Sequence, residues 1–216
     1  MHRAEPTTEE EPSDDGRWAR FVRWVLHQLG LERRKPTDLS ADLVRLGRQI
    51  RESGRKVIAF IPATRDAPTT RICHELCLAL GRITDAPVGW LDVSANFVDD
   101  ARDLAGDSAI EDDGDFRTAL VEGVRWLAPH RPAPEGTRFQ MVAILLNHAR
   151  TITEPPLDYI LVDLAGFFRT GELLGTLEHL DGVVIVGRTG FTQRGDLVRL
   201  YKDIPERLNL GVLLTQ

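Results

Sequence analysis

The sequence has few of the features that mark secreted, membrane-spanning or nucleic-acid-binding proteins. It has only two cysteines in 216 residues, Cys73 and Cys77. They fall one turn apart on a predicted helix, where a disulfide would restrain almost no chain, so a reducing cytoplasm is expected. No run reaches the roughly 18 apolar residues that span a bilayer, and the acidic N-terminus is unlike a signal peptide. A net charge of −6 argues against nucleic acid as a partner.

The first 38 residues divide into two segments of opposite charge. Residues 1–16 hold six acids and two prolines, the composition of a disordered tail. Residues 17–38 predict a basic amphipathic helix and a linker, because apolar residues recur there at a spacing of three or four. Three roles stay open for this helix: contact with an anionic membrane surface, docking into a partner, or packing on its own domain. The side chains proposed for the first two roles are Trp18, Phe21, Trp24 and Val25.

From residue 39 onward, apolar strands alternate with helices. The predicted strands are 57–62, 87–92, 123–128, 158–163, 182–187 and 209–214, and the predicted helices are 39–53, 69–83, 138–150, 171–180 and 192–206. Strands of nearly continuous Val, Ile and Leu are typical of a parallel sheet that is covered on both faces. The sequence therefore predicts a doubly wound α/β domain over 39–216, with a mobile acidic surface loop at 99–116.

The connection after the first predicted strand lacks the residues that its position requires. A phosphate-binding loop, GxxxxGK[ST], is expected between this strand and the next helix. The register is kept from Ala63 to Thr70, but Ala63 and Pro68 replace the two glycines and Thr69 replaces the lysine. Pro68 has no N–H to donate and Thr69 has no charge, so the loop keeps its length and loses its phosphate chemistry. Arg65 is the residue within the loop that could supply a replacement charge.

Two carboxylates are predicted at the ends of central strands. Asp92 ends the second strand and Asp163 ends the strand DYILVD. Such carboxylates can hold Mg²⁺ beside a nucleotide, whereas their structural alternative is to cap the following turns. We predict no metal unless Mg²⁺ binds Thr70 together with these two residues. A second metal candidate, Cys73 with His74 and Cys77, is better explained as part of a buried helix face.

Five segments together resemble a known family. They are RKVIAFIPATRDAPTTRICHELCLAL, VGWLDVS, DYILVDLAG, LDGVVIVGRTGFTQR and RLNLGVLLTQ. Over about four-fifths of the chain, from residue 40 to 216, the sequence resembles the bacterial tyrosine kinases of capsule and exopolysaccharide systems. These kinases lie within the MinD- and ParA-like P-loop ATPases. The resemblance implies that Thr70 corresponds to the Mg²⁺-binding hydroxyl, and that Asp92 and Asp163 correspond to the first carboxylates of the second and third motifs.

The departures from this family concern its chemistry. Its lysine is Thr69 here, the second Asp of its LLIDAD motif is Ser94, and its Pro-Pro pair is Ala165-Gly166. Its C-terminal tyrosine cluster has no counterpart among the two tyrosines of this sequence. Phosphoryl transfer depends on positioning and electrostatics, so these losses predict no kinase activity and no bound cofactor. ATP with Mg²⁺ remains the alternative.

A further motif concerns assembly. The segment DLVRLGR places Asp42, Arg45 and Arg48 close to the ExxRxxR signature through which the resembling kinases form rings. The resemblance thus implies self-association. Judged from the residues alone, the same pattern is an ordinary pair of charges on a helix surface.

Three functions are compatible with the sequence. The first is a catalytically inactive regulator or scaffold of exopolysaccharide or capsule synthesis. It would bind an inner-membrane polysaccharide copolymerase or synthase from the cytoplasm, with peripheral membrane contact left open. The second is an ATP-hydrolysing enzyme or tyrosine autokinase that uses Arg65, Thr70, Asp92 and Asp163. The third is a ParA-like accessory protein of cellulose secretion, pilus localisation or division.

Overall fold

The computed structural model describes residues 39–95, 110–134, 136–152, 155–167 and 170–215. The predicted acidic tail, the basic segment 17–38 and most of the loop predicted at 99–116 lie outside these ranges. The described strands are β1 (Val57–Pro62), β2 (Val88–Asp92), β3 (Glu111–Asp113), β4 (Phe116–Val121), β5 (Val124–Pro129), β6 (Tyr159–Asp163), β7 (Gly182–Arg188) and β8 (Asn209–Thr215). The described helices are α1 (Leu39–Ser53), α2 (Thr69–Thr84), α3 (Arg138–Ile152), α4 (Thr170–Thr176) and α5 (Arg194–Asp203), with a 3₁₀ turn at Leu177–His179.

All the described strands form one sheet in the order β3-β4-β5-β2-β6-β1-β7-β8. The six strands from β5 to β8 in this order are parallel, and β3 and β4 are antiparallel additions at one edge. The chain builds outward from β1 to β2 on one side and later returns to β7 and β8 on the other. The carboxyl ends of β1 and its neighbours therefore lie at a topological switch point, where open α/β sheets bind ligands.

The core forms on both faces of the sheet because strand residues alternate between them. Ile58, Phe60 and Trp90 belong to the buried cluster that α1 and α2 cover. The intervening residues Ala59 and Leu91 are also fully buried, on the opposite face. Helix α3 contacts β2 and β5 and adds its own buried residues, namely Val142, Leu145, Leu146 and Ala149. The predicted doubly wound architecture is confirmed.

Helices α1 and α2 pack closely at a glycine. A Cβ atom added at Gly47 would lie 2.9 Å from Ile83 Cδ1. Real Cβ atoms almost never approach that closely, so a side chain at position 47 would require the end of the half-buried Ile83 side chain to move. The pair α1 and α2 thereby forms one layer over the strands that carry the candidate site.

The prediction of a surface loop over 99–116 is wrong at its C-terminal end, and the following strand was missed. Residues 111–113 form β3 and Phe116 begins β4. One acid of this hairpin lies close to two basic side chains: Asp112 Oδ1 is 3.7 Å from Arg117 Nε and 3.4 Å from His130 Nε2. A two-residue turn then joins β4 to β5 with positive φ at Glu122 and Gly123, the conformation that hairpins favour. Glutamate is uncommon at such a position, so the sequence signal for this hairpin was weak.

Candidate site at the carboxyl edge of the sheet

Two carboxylates lie side by side at the switch point. Asp92 and Asp163 are register partners on the adjacent parallel strands β2 and β6, and both side chains are fully buried. Phe60 of β1 is paired with Asp163 on its other side. The sheet thus brings together the two predicted acids, and it seals them beneath the connections that follow these strands.

Burial and mutual repulsion govern the ionisation of this pair. Removal from water, followed by the charge of Asp92, raises the pKa of Asp163 from 3.8 to about 7. The hydroxyl of Thr70 beside the carboxyl group and the N–H of Ala165, which donates to Asp163 Oδ1 at 2.9 Å, act in the opposite direction. Asp163 Oδ2 is buried and has no hydrogen-bond partner in the described part of the chain. The buried pair therefore favours neutralisation by a proton or by a cation.

The predicted phosphate loop is closed on itself. The N–H of Ala67 donates to Thr64 O at 3.1 Å, and the N–H of Thr69 donates to Ala67 O at 2.8 Å. The N–H of Ala63 donates to Val186 O of β7 at 2.7 Å, and Pro68 has none. Four of the eight loop positions thus offer no N–H to a ligand. A phosphate loop works by aiming such groups at the phosphate oxygens, and here those of Ala63, Ala67 and Thr69 bond to protein.

The side chains of the loop follow the same pattern. Thr69, at the position of the missing lysine, is 1% exposed, and its hydroxyl donates to Ala67 O at 3.4 Å. Thr70 is half-buried and lies next to Asp163. Arg65 is exposed on the loop. Ala63 does not adopt the left-handed backbone that glycine would allow, since the described non-glycine residues with positive φ are Asp85, Ala95 and Glu122.

Side-chain hydrogen bonds hold the neighbouring connections, and two of the residues that make them, Arg138 and Thr192, were missed by sequence reasoning. Ser94 Oγ donates to Ala165 O, and Arg138 Nη1 donates to Gly166 O at 2.6 Å. The hydroxyls of Thr64 and Thr192 lie 3.2 Å apart and join the connections after β1 and β7. Nothing in the sequence marked Arg138 or Thr192, because each bond is made to a carbonyl or hydroxyl that is distant along the chain.

The residues of the site are better suited to Mg²⁺ than to the phosphates of ATP. Two carboxylates with an adjacent hydroxyl are the hard oxygen ligands that Mg²⁺ prefers, and the buried Asp163 Oδ2 has room in its bonding for a cation. The loop offers no N–H at Ala63, Ala67, Pro68 and Thr69, and it lacks the lysine that phosphates need. The residues present therefore do not fit ATP–Mg²⁺ as a unit. Within the described ranges, no group of three or more His, Cys, Asp and Glu side chains is arranged to hold a metal ion.

The remaining predicted residues lie away from this edge or in the core. Asp42 and Arg45 are half-buried on α1, and Arg48 is exposed. Cys73 and Cys77 are free, buried thiols on α2. Burial, Cys77 and the charges of Asp163 and Asp92 raise the pKa of the Cys73 thiol well above its usual value, so this thiol is a core group. Trp18, Phe21, Trp24 and Val25 lie outside the described residues.

A separate cavity of about 320 Å³ opens at the opposite, amino edge of the sheet. It lies between the end of α2 and the β4–β5 turn and is lined by Arg82, Asp85 and Glu122, among others. Nearby, His74 stacks on Trp90 with ring centroids 5.1 Å apart, and its Nε2 lies 3.4 Å from Glu122 Oε2. Burial lowers the pKa of His74, against the opposing charges of Glu122 and Glu75. The cavity is therefore distinct from the carboxylate pair.

These features define a P-loop ATPase-like fold with an altered phosphate loop. No family model and no curated protein matches the sequence. Among solved structures, the chimerical protein CapA2B2 superposes with a TM-score of 0.61 at 12% identity, over 87% of this chain and 89% of that chain. The BceF tyrosine kinase domain gives 0.59 at 13% identity, over 93% and 86% of the two chains.

A third structure extends this likeness. The kinase domain of the Escherichia coli tyrosine kinase ETK gives a TM-score of 0.51 at 14% identity, over 85% of this chain and 82% of that chain. The chain thus has the fold of bacterial tyrosine kinase domains. In the described ranges, no helix combines the length and apolar character needed to cross a membrane.

Proposed function

We propose that this protein is a non-catalytic regulator or scaffold built on a bacterial tyrosine kinase fold. The observation that carries the proposal concerns the loop at 63–70. Thr69 replaces the lysine there and is buried, and three of the loop's N–H groups bond to other atoms of the protein. A phosphoryl transfer site needs those donors and that charge at the moment of reaction. This protein would act through its shape and its contacts.

The solved structures that share the fold suggest the setting. Two of them are named as tyrosine kinase domains, and the sequence resembles the kinases of capsule and exopolysaccharide systems. We therefore propose a cytoplasmic protein that binds an inner-membrane polysaccharide copolymerase or synthase. Self-association through Asp42, Arg45 and Arg48, and contact of the basic segment 17–35 with partner or membrane, belong to the same proposal.

One observation favours the enzymatic alternative. Asp92 and Asp163 are register partners and Thr70 lies beside Asp163, and their oxygens are of the kind that would hold Mg²⁺. An enzyme built on them would need Arg65 to replace the lysine charge. The two functions differ in whether nucleotide binds and is turned over.

The test is nucleotide binding by the purified full chain. Thermal unfolding is followed with ATP–Mg²⁺ and with ADP–Mg²⁺ at millimolar concentration, since a ligand at 100 times its Kd adds about 2.7 kcal/mol of stability. No shift, and no transfer of label from [γ-³²P]ATP to water or to protein, is expected. The matched variant restores the loop: Ala63→Gly, Pro68→Gly and Thr69→Lys together should restore binding if the rest of the scaffold is intact. Label transfer by the wild type that Asp163→Asn abolishes would refute the regulator and support the enzyme.

A further inference from the structure

Hydrogen bonds and a buried side chain hold the segment that follows Asp163 in place. We call residues 164–167 the β6 loop. The N–H of Leu164 donates to Phe60 O at 3.0 Å, the N–H of Ala165 donates to Asp163 Oδ1 at 2.9 Å, and the N–H of Phe167 donates to Leu164 O at 3.0 Å. The Phe167 side chain is 1% exposed. Three of the loop's N–H groups and its one aromatic ring are therefore engaged within the protein.

Two side chains from other connections bind the carbonyls of this loop. Ser94, two residues after Asp92, donates to Ala165 O. Arg138, the first residue of α3, donates to Gly166 O at 2.6 Å and to Ala133 O at 3.4 Å. The guanidinium group has several donors in a fixed plane, so it can bridge two connections at once. Bonds from a charged donor are about twice as strong as neutral ones.

The glycine of the loop allows this approach. Gly166 has φ of +93°, and a Cβ atom there would lie 3.3 Å from Ser94 Oγ and 3.5 Å from Arg138 Nη1. A side chain at 166 would be strained in its backbone and would crowd both donors. The donor groups of Ser94 and Arg138 thus both lie close to Gly166, where the absence of a side chain leaves them space.

In nucleotide-driven switches, a segment beside the γ-phosphate is ordered by the phosphate and its Mg²⁺ and is released on hydrolysis. We infer that Ser94 and Arg138 replace the nucleotide in this protein, as a clasp that holds the β6 loop in one fixed conformation without any ligand. This inference rests on the proposed non-catalytic function and gives it a structural basis: the surface shown to a partner is set permanently. Ser94 and Arg138 are positioning residues in this arrangement.

Hydrogen exchange at the amides of Ala165 and Phe167 tests the clasp in the full-length protein. Both amides should be protected in the absence of nucleotide, and ATP–Mg²⁺ should leave their rates unchanged. Loss of the charged donor of Arg138 should speed their exchange about tenfold to a hundredfold, and loss of the neutral donor of Ser94 about twofold to tenfold. The variants are Ser94→Ala and Arg138→Met. Arg131→Met, which removes an exposed arginine of the same connection, is the control and should leave both rates unchanged.

A second pair of variants separates a hydrogen bond from simple packing. Ser94→Thr keeps the donor and should keep the wild-type rates, whereas Ser94→Asp places an acceptor-only group against the carbonyl of Ala165 and should release the loop. The amide of Val184, in β7, serves as an internal reference because a local opening leaves its rate unchanged. If either single variant fails to fold, the other still reports on the loop.

The outcomes separate this inference from the proposed function. Any one of three results would overturn the clasp. The wild-type amides exchange at unprotected rates, or they are protected only with ATP–Mg²⁺, or their exchange rates are unchanged in both Ser94→Ala and Arg138→Met. Nucleotide turnover would refute the regulator while leaving a clasp detected without ligand in place. A loop that is protected without ligand in a protein that binds no nucleotide supports both.

Discussion

The carboxylate pair makes a prediction about stability and pH. Asp163 has a pKa of about 7 in the folded protein, against 3.8 as its ordinary value. Well below pH 3.8 the group is protonated in both the folded and unfolded states and has no net effect. As the pH rises from 4 to 7 the unfolded chain releases the proton and the folded protein retains it, so folding becomes progressively less favourable. Above pH 7 the destabilisation is complete and constant.

Its size follows from the pKa difference. A shift of about three units corresponds to roughly 4 kcal/mol as an upper bound, at about 1.4 kcal/mol per unit. Asp163→Asn removes this ionisation while keeping the shape of the side chain. The variant should therefore gain stability relative to the wild type as the pH increases, with the difference smallest near pH 4 and largest at pH 8.

The assay is urea unfolding at pH 4.5, 6 and 8, followed by tryptophan fluorescence, since Trp90 and Trp126 are fully buried. Asp66→Asn, at an exposed carboxylate on the loop at the same edge, is the control for the removal of one carboxylate from this edge. A difference between Asp163→Asn and the wild type that is constant from pH 4.5 to 8, or that reverses in sign at high pH, would refute the assignment of a buried proton to this pair.

Three further predictions concern packing, assembly and the N-terminal segment. Gly47→Val should lower the free energy of unfolding by about 1–3 kcal/mol in urea titrations, because its added carbons would meet Ile83; unchanged stability would contradict the close packing of α1 and α2. Arg45→Glu with Arg48→Glu should reduce the mass seen by light scattering at low salt, whereas a wild type that is monomeric at high micromolar concentration would remove the assembly role. Deletion of residues 1–35 should reduce recovery with membranes or copurifying partners without changing the urea midpoint of the domain over 39–216; unchanged recovery would leave this segment without a binding role.

The strands of the sheet were predictable because their signal is local. β1, β6 and β7 are runs of buried apolar residues, and each was predicted within one residue of its observed ends. β3 and β4 were not found, because an edge hairpin alternates burial with exposure and carries several acids. Its pairing with β5 depends on contacts that composition does not report.

The candidate site likewise contains some residues that could be predicted from the sequence and others that could not. Asp92 and Asp163 could be placed from sequence, because parallel strands bring their carboxyl ends to one edge. The loss of an N–H donor from the loop could be anticipated only at Pro68, which has none by its chemistry. The inward hydrogen bonds of Ala63, Ala67 and Thr69 could not be anticipated. Arg138 could not be anticipated, since its role depends on two carbonyls, one of them 28 residues away. Sequence patterns thus identify the strand ends but not the side chains that reach across them.

The order of strands in the sheet also bears on how the chain acquires its structure. β1 and β2 are synthesised early but are separated in the sheet by β6. The pairing of Val57 with Ile160 spans 103 residues, and that of Ile58 with Gly182 spans 124. Such distant pairings make folding slow and leave apolar strands uncovered during synthesis. A nascent chain that has not yet produced β6 cannot complete the centre of this sheet. The carboxylates of Asp92 and Asp163 are therefore buried only after β6 has been synthesised and has paired with its neighbours.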